Sequence, residues 1–285
     1  MHADELDTDA ALVQRLVAAQ FPEWAALSIE RVPSSGTDNA LYRLGDDMVV
    51  RLPRIHWATS GLAKELQWLP VLAPLLPVAI SMPLATGMPA DGYPWEWGVY
   101  SWLPGRNPAP GDVPMADLVE LLRAFREIEL PDAPPTRRGK PLLSQDEWVR
   151  AALVELEGII DTEAATAEWD AALEVPDWSG PPVWLQGDLL PGNLLVQDGR
   201  VSGVLDFSLV GVGDPACDLI VAWALLPSEE RESLRGELDV DADTWARGRG
   251  WALSIALVAL PYYRDTNPSF AATARHLIAE VLAER

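Results

Sequence analysis

The chain has one cysteine, Cys217, and three histidines, His2, His56 and His276, among its 285 residues. A single cysteine excludes an internal disulfide. Three scattered histidines leave no ligand set for a zinc hydrolase. No run of 18 or more apolar residues occurs, which argues against a membrane-spanning helix. Basic residues are scarce as well: 21 Lys and Arg stand against 43 Asp and Glu, a formal net charge of −22. Phosphate backbones need clustered cations and no such run is present, so nucleic acid is not an expected partner. The start, MHADELDTDAALVQRL, is acidic and amphipathic, unlike a secretory signal with its basic start and apolar middle. The expectation is a cytoplasmic protein without membrane contact. The acid excess serves solubility, and it also suits a negative cleft that attracts a cationic ligand or a metal-bound nucleotide.

What is present is a core. Hydrophobic residues make up 49% of the chain, enough to fill one large domain or two lobes. Thr8 is placed to cap a helix through about Gln20, with Leu12, Val13, Leu16 and Val17 on one face. LSIERV, DNALYRLG and MVVRLPR read as strands, the last two joined by a Gly-Asp-Asp turn. A helical pattern runs from about Ala58 to Ala73, Pro-rich loops surround PLLPVAISMP, and WEWGVYSWL reads as a further strand. PGRNPAPGDVP is the linker candidate. Beyond it, residues 114–127, 145–173, 216–226, 241–263 and 269–284 read as helical, around two strands that meet at an Asp198-Gly199 turn. The expected architecture is α+β in two parts: residues 1–103 strand-rich, residues 104–285 mainly helical.

Between and after those two strands lies the chemistry. WLQGDLLPGNLLVQDGRVSGVLDF places Asp188 and Asn193 in a D-x-x-x-x-N spacing, and Asp206 follows thirteen residues later at the expected end of the second strand. Protein kinases use this spacing so that one loop aims a carboxylate at the attacking hydroxyl and an amide oxygen at magnesium. A later aspartate can bridge the same cation to the β- and γ-phosphates. Taken singly, each residue also serves as a turn or strand terminator. In combination, with Gly192 and Pro191 shaping the loop, they favour phosphoryl transfer.

The chain resembles the aminoglycoside phosphotransferase family, relatives of the protein kinases that phosphorylate small molecules. The resemblance is carried by SSGTDNALYRLGDDMVVRLPR, KELQWLPVLAPLLP, YPWEWGVYSWLPG, LQGDLLPGNLLV, VLDF and GDPACDLIVAW, in that order. It implies a bilobal protein-kinase-like fold with residues 1–103 binding nucleotide and residues 104–285 carrying the catalytic loop and substrate helices. Asp188 would be the catalytic base, and Asn193 and Asp206 the magnesium ligands. Ser35, Gly36 and Thr37, with Ser34, would cover the phosphates. Arg51 stands where kinase relatives carry a phosphate-binding lysine, with Glu65 as its partner. The backbone of Ser101 and Trp102 would meet the base of ATP or GTP, with Tyr100 behind it. Gln186, Asp214 and Asp218 would brace the loop.

Three positions depart from the family pattern. Gln186 stands for a histidine before Gly-Asp, Leu190 for a second histidine, and Ser208 for the glycine that kinases place after Asp-Phe. They motivate a second reading, a pseudokinase that binds nucleotide without turnover. The acceptor is a hydroxyl-bearing small molecule. A cationic aminoglycoside suits Asp146, Glu147, Glu155, Glu157, Asp161 and Asp265. The thirteen tryptophans suit a partly apolar antibiotic such as a macrolide. An amino alcohol, amino acid or sugar fits the same chemistry. Oligomeric state is not legible.

Overall fold

The computed structural model describes residues 5–33, 36 and 38–284, which form two compact units. The first takes the chain to Leu75, then Ala79–Gly105 and Gly203–Ser208; the second takes Leu76–Val78, Arg106–Ser202 and Leu209 onward. The division beside residue 104 is thus crossed by two short segments, 76–78 and 203–208.

In the first unit, helix α1 (Ala10–Gln20) precedes β1 (Ile29–Arg31), β2 (Asn39–Leu44), β3 (Met48–Pro53), helix α2 (Ser60–Leu72), β4 (Ala79–Ile80), β5 (Pro83–Gly87) and β6 (Trp97–Ser101). Five strands make an antiparallel sheet in the order β1-β2-β3-β6-β5. Strand alternation decides which side chains go where. Tyr42, Leu44, Val50, Leu52, Trp97 and Val99 enter one core with Val13, Leu16 and Val17 of α1. Val49 and Tyr100 face the other way and pack with Leu62 of α2. The α1 cap is Asp9, whose carboxylate accepts from Leu12 N at 2.7 Å. Thr8, one residue earlier, is buried and shares a hydrogen bond with the Tyr42 hydroxyl at 3.0 Å, so it is a core contact and not the cap.

The second unit contains α3 (Met115–Arg126), α4 (Asp146–Glu155), α5 (Thr162–Glu174), β7 (Val183–Leu185), β8 (Leu194–Gln197), the start of β9 (Arg200–Val204), β10 (Gly211–Gly213), α6 (Ile220–Leu225), α7 (Ser228–Glu237), α8 (Ala242–Tyr263) and α9 (Pro268–Ala283). Helix α8 is its axis: α4, α5, α6 and α9 all pack on it. The stretch 145–173 is two helices, parted at residues 156–161, where Gly158 turns the chain at φ +73°. β8 and β9 form a hairpin whose turn residues, Asp198 and Gly199, both have positive φ (+53° and +75°), the requirement of a tight two-residue turn. Gly203 and Val204, at the end of β9, pair in parallel with Ala79 and Ile80 of β4. PLLPVAISMP therefore carries strand β4 as well as loop. The whole is an α+β fold. Among the described residues, no helix is long and apolar enough to cross a membrane.

Candidate active site

Arg51 lies on β3 opposite Gly98 of β6, on the face away from the α1 core. Glu65 of α2 is 1% exposed and gathers four hydrogen bonds. Arg51 Nη1 donates to both its carboxylate oxygens (3.0 and 3.2 Å), the Tyr100 hydroxyl donates at 2.5 Å and the Phe207 backbone N–H at 3.0 Å. Donors in this number offset the loss of water around a buried carboxylate. Asp206 joins the cluster with Oδ1 3.6 Å from Arg51 Nη2. Burial works against the Arg51 charge, but Glu65 and Asp206 outweigh it and hold the guanidinium above its ordinary value. The Tyr100 phenol is also raised, first by burial and then by Glu65. Arg51, Glu65, Tyr100 and Asp206 line a cleft in the first unit with Asn39 and Gly98. Lys64 donates to the Ser208 carbonyl at 3.3 Å.

Asp206 does not end a strand. β9 stops at Val204, and Asp206 adopts φ +54°, a left-handed conformation that Asp tolerates at a cost of about 1–2 kcal/mol. Its Oδ1 accepts from Ser208 N at 3.2 Å, and the side chain stays 37% exposed, open to a cation. The backbone donors of the joining segment are already engaged. Ser101 N–H donates to Met82 O at 2.8 Å and Trp102 N–H to Asp47 O at 2.7 Å, so a base placed there meets carbonyls and not these two donors. The Trp102 ring is covered by the Arg43 guanidinium at 4.0 Å. Ser34, Ser35 and Thr37 lie outside the described residues, which leaves Gly36 alone of that expected phosphate loop.

The loop carrying Asp188 is shaped by its neighbours. Gly187 has φ +86°, and a Cβ there would come within 2.8 Å of the Leu209 carbonyl. Leu189 and Leu190 are buried, anchoring the loop from below, while Asp188 stays at the rim. Leu190 is thus a packing residue. Pro191 opens a single 3-10 turn that delivers Asn193, whose N–H donates to Leu190 O at 2.9 Å. The Asn193 amide nitrogen donates to Asp188 Oδ2 and to the Asp188 carbonyl, each at 2.9 Å. Asp188 Oδ1 accepts from Arg138 Nη1 at 2.8 Å. Asn107 donates to the carbonyls of Gly192 (3.0 Å) and Leu194 (2.9 Å), clamping the loop end.

Beneath the loop, Asp218 accepts from the N–H groups of Gln186 and Gly187, both at 2.8 Å. Burial pushes its carboxyl up to about 6, and those two N–H groups pull against that rise. Gln186 is fully buried, and its Oε1 accepts from Asp188 N at 2.6 Å. Asp214 sits one step further out, bound by Arg247 at 2.7 and 3.3 Å and by Ala216 N at 3.0 Å. Asp214 precedes, and Asp218 occupies, the short 3-10 turn (Cys217–Leu219) that leads directly into α6. The sequence reading missed Arg138 and Asn107. The only local signal for Arg138 was three cations at Arg137, Arg138 and Lys140 in a strongly acidic chain.

Residues 29–251 match the family model described as the phosphotransferase enzyme family, APH. The chain belongs to this family. An uncharacterised Bacillus subtilis (strain 168) protein, YcbJ, is 26% identical over 187 residues, 62% of this chain and 57% of that protein. An aminoglycoside 3'-phosphotransferase of Streptomyces fradiae is 31% identical over 137 residues, 45% of this chain and 46% of that enzyme. The chain therefore spans about half the length of the curated relatives it matches. Among solved structures, the GDP and kanamycin complex of APH(2")-IIIa superposes with a TM-score of 0.73 at 20% identity, covering 96% of this chain and 99% of that one. At that identity the likeness speaks for the fold.

Proposed function

We propose that this phosphotransferase moves the γ-phosphoryl group of ATP or GTP to a hydroxyl of a small molecule, in a magnesium-dependent reaction. The observation that carries the reading is Asp188, held on a braced loop with Asn193 turned beside it. Asp188 takes the proton of the acceptor hydroxyl as its oxygen forms the new P–O bond. The bond from the γ-phosphorus to the β–γ bridging oxygen breaks, leaving ADP or GDP. Positioning and charge stabilisation supply most of the rate in such transfers. The donor set suits magnesium, a hard cation that keeps several waters and takes few protein oxygens: Asn193 Oδ1 and the Asp206 carboxylate would hold it. When bound, the ion neutralises charge on the β- and γ-phosphates. Arg51, fixed by Glu65, would contact phosphate, although it is no equivalent of lysine.

An aminoglycoside is the first acceptor to try, because the Streptomyces fradiae relative is an aminoglycoside 3'-phosphotransferase. Among metabolic acceptors, amino alcohols, amino acids and sugars share the needed hydroxyl. One observation favours a protein that binds nucleotide without turnover: Arg51 stands 3.6 Å from Asp206, a cation already beside a proposed metal ligand. Magnesium-dependent ADP and GDP release from the purified protein, measured against aminoglycosides, macrolides and amino alcohols, separates these readings. Stimulation by one compound, abolished in Asp188→Ala with nucleotide binding intact, is the expected result. Full activity in that variant would overturn the base assignment, and nucleotide binding without release across the panel would favour the pseudokinase.

A further inference from the structure

Arg138, paired with Asp188, has no role in the reaction described above. Both side chains are about three-quarters buried (24% and 23% exposed), so a ligand can still reach the carboxylate. The turn that carries Arg138 (Arg137–Gly139) is fastened on both sides to the β10 segment. Thr136 N donates to Val212 O at 3.1 Å, Val212 N to Pro134 O at 2.8 Å and Asp214 N to Gly139 O at 3.1 Å. The Thr136 hydroxyl donates to Leu209 O at 2.6 Å. Gly139 and Gly213 touch through their backbones: a Cβ on Gly213 would lie 2.4 Å from Gly139 Cα. β10 in turn pairs with β7, Gly211 opposite Leu185, and β7 runs straight into the Asp188 loop. The guanidinium and the carboxylate are therefore mounted on one small ladder, although fifty positions apart in the chain.

We propose that Arg138 is the positioning residue of Asp188, an inference that rests on the reading of Asp188 as the base. A carboxylate turns easily about its last torsion. Here Arg138 holds Oδ1 and Asn193 holds Oδ2, so the plane of the carboxylate is fixed from both oxygens. Arg138 thus acts on the chemical step through Asp188 and not on nucleotide affinity.

The test is steady-state turnover with magnesium and ATP or GTP, using kanamycin as acceptor, and water alone if kanamycin gives no stimulation. Arg138→Ala is expected to lower kcat by roughly 100-fold, the loss typical of a small misplacement at a reacting group, with nucleotide KM unchanged. Arg138→Lys should recover part of kcat. Free guanidinium ion should restore Arg138→Ala saturably, yet leave Asp188→Ala inactive, which no purely structural role predicts. Arg137→Ala, which removes an equal charge from the exposed neighbour, should keep wild-type kcat. A normal kcat with raised nucleotide KM in Arg138→Ala would overturn the proposal in favour of phosphate binding. A wild-type kcat in that variant beside an inactive Asp188→Ala would overturn the positioning role and leave the base assignment standing. An active Asp188→Ala, or a wild-type protein releasing no ADP or GDP, overturns the base reading and this one with it. Should Arg138→Ala melt below the assay temperature, Arg138→Gln serves in its place, and unchanged kcat there overturns the proposal.

Discussion

At the scale of single residues, the molecule spends its buried carboxylates as organisers. Glu65 fixes Arg51, Tyr100 and Phe207 at once, and Asp218 fixes the two backbone N–H groups that lead into Asp188. Asp218 does this at a cost that depends on pH. Its carboxyl is raised from 3.8 to about 6 because burial outweighs the two N–H donors. A raised acid binds its proton more tightly in the folded state, so protonation favours folding. The stabilising contribution is complete below 3.8 and is lost as pH rises through about 6. The shift corresponds to about 3 kcal/mol at most. Urea unfolding of the wild type and Asp218→Asn across this range should show that slope in the wild type and lose it in the variant. Because the variant's profile is flat, its stability relative to the wild type should rise by up to about 3 kcal/mol across the same range. Parallel pH profiles in the two proteins would refute the assignment.

At the scale of elements, the close approach of Gly139 and Gly213 ties β10 to the Arg138 turn. Gly213→Ala inserts a methyl where backbone already stands, so one of the two segments must move. The expected outcome is a folded protein with reduced turnover, measured beside Gly236→Ala, whose added methyl meets nothing within 4 Å. Equal activities would show that the ladder does not set the site.

Elements with a strong local pattern were legible from sequence: β2 alternates, β3 and β6 are short runs of mostly buried residues, and α1 and α2 carry apolar stripes. Helix α7 was not legible, because SEERESLRGE offers only Arg231 and Leu234 to the interior. Its anchor is a buried arginine that donates to the carbonyls of Ala222 and Leu226 and to Glu280, contacts no local pattern encodes. β10, three residues of Gly-Val-Gly, is too short for alternation and exists through its pairing with β7. The same limit explains the site. Asp188, Asn193 and Asp206 stood out because loop spacing is local, whereas Arg138 meets Asp188 only through a ladder joining distant segments.

For the whole molecule, a net charge of −22 means that the folded chain repels itself. Raising NaCl from roughly 20 mM to roughly 500 mM shortens the screening length from roughly 20 Å to roughly 4 Å. The melting temperature should therefore rise with salt. A fall would mean that attractive pairs such as Arg247–Asp214 and Arg200–Asp117 outweigh the long-range repulsion.

The return of Gly203–Ser208 to the first unit also bears on how the chain matures as it is made. Phe207 is 1% exposed and supplies one of the donors on Glu65, so the first unit lacks an interior wall until that segment has been translated. About a hundred residues separate β6 from it. At roughly 5–20 residues per second, the nascent sheet waits on the order of ten seconds with its Arg51–Glu65 cluster incomplete. The amino-terminal half is a client of its own downstream sequence, and ribosome pausing within that interval would lengthen its exposure to chaperones and proteases.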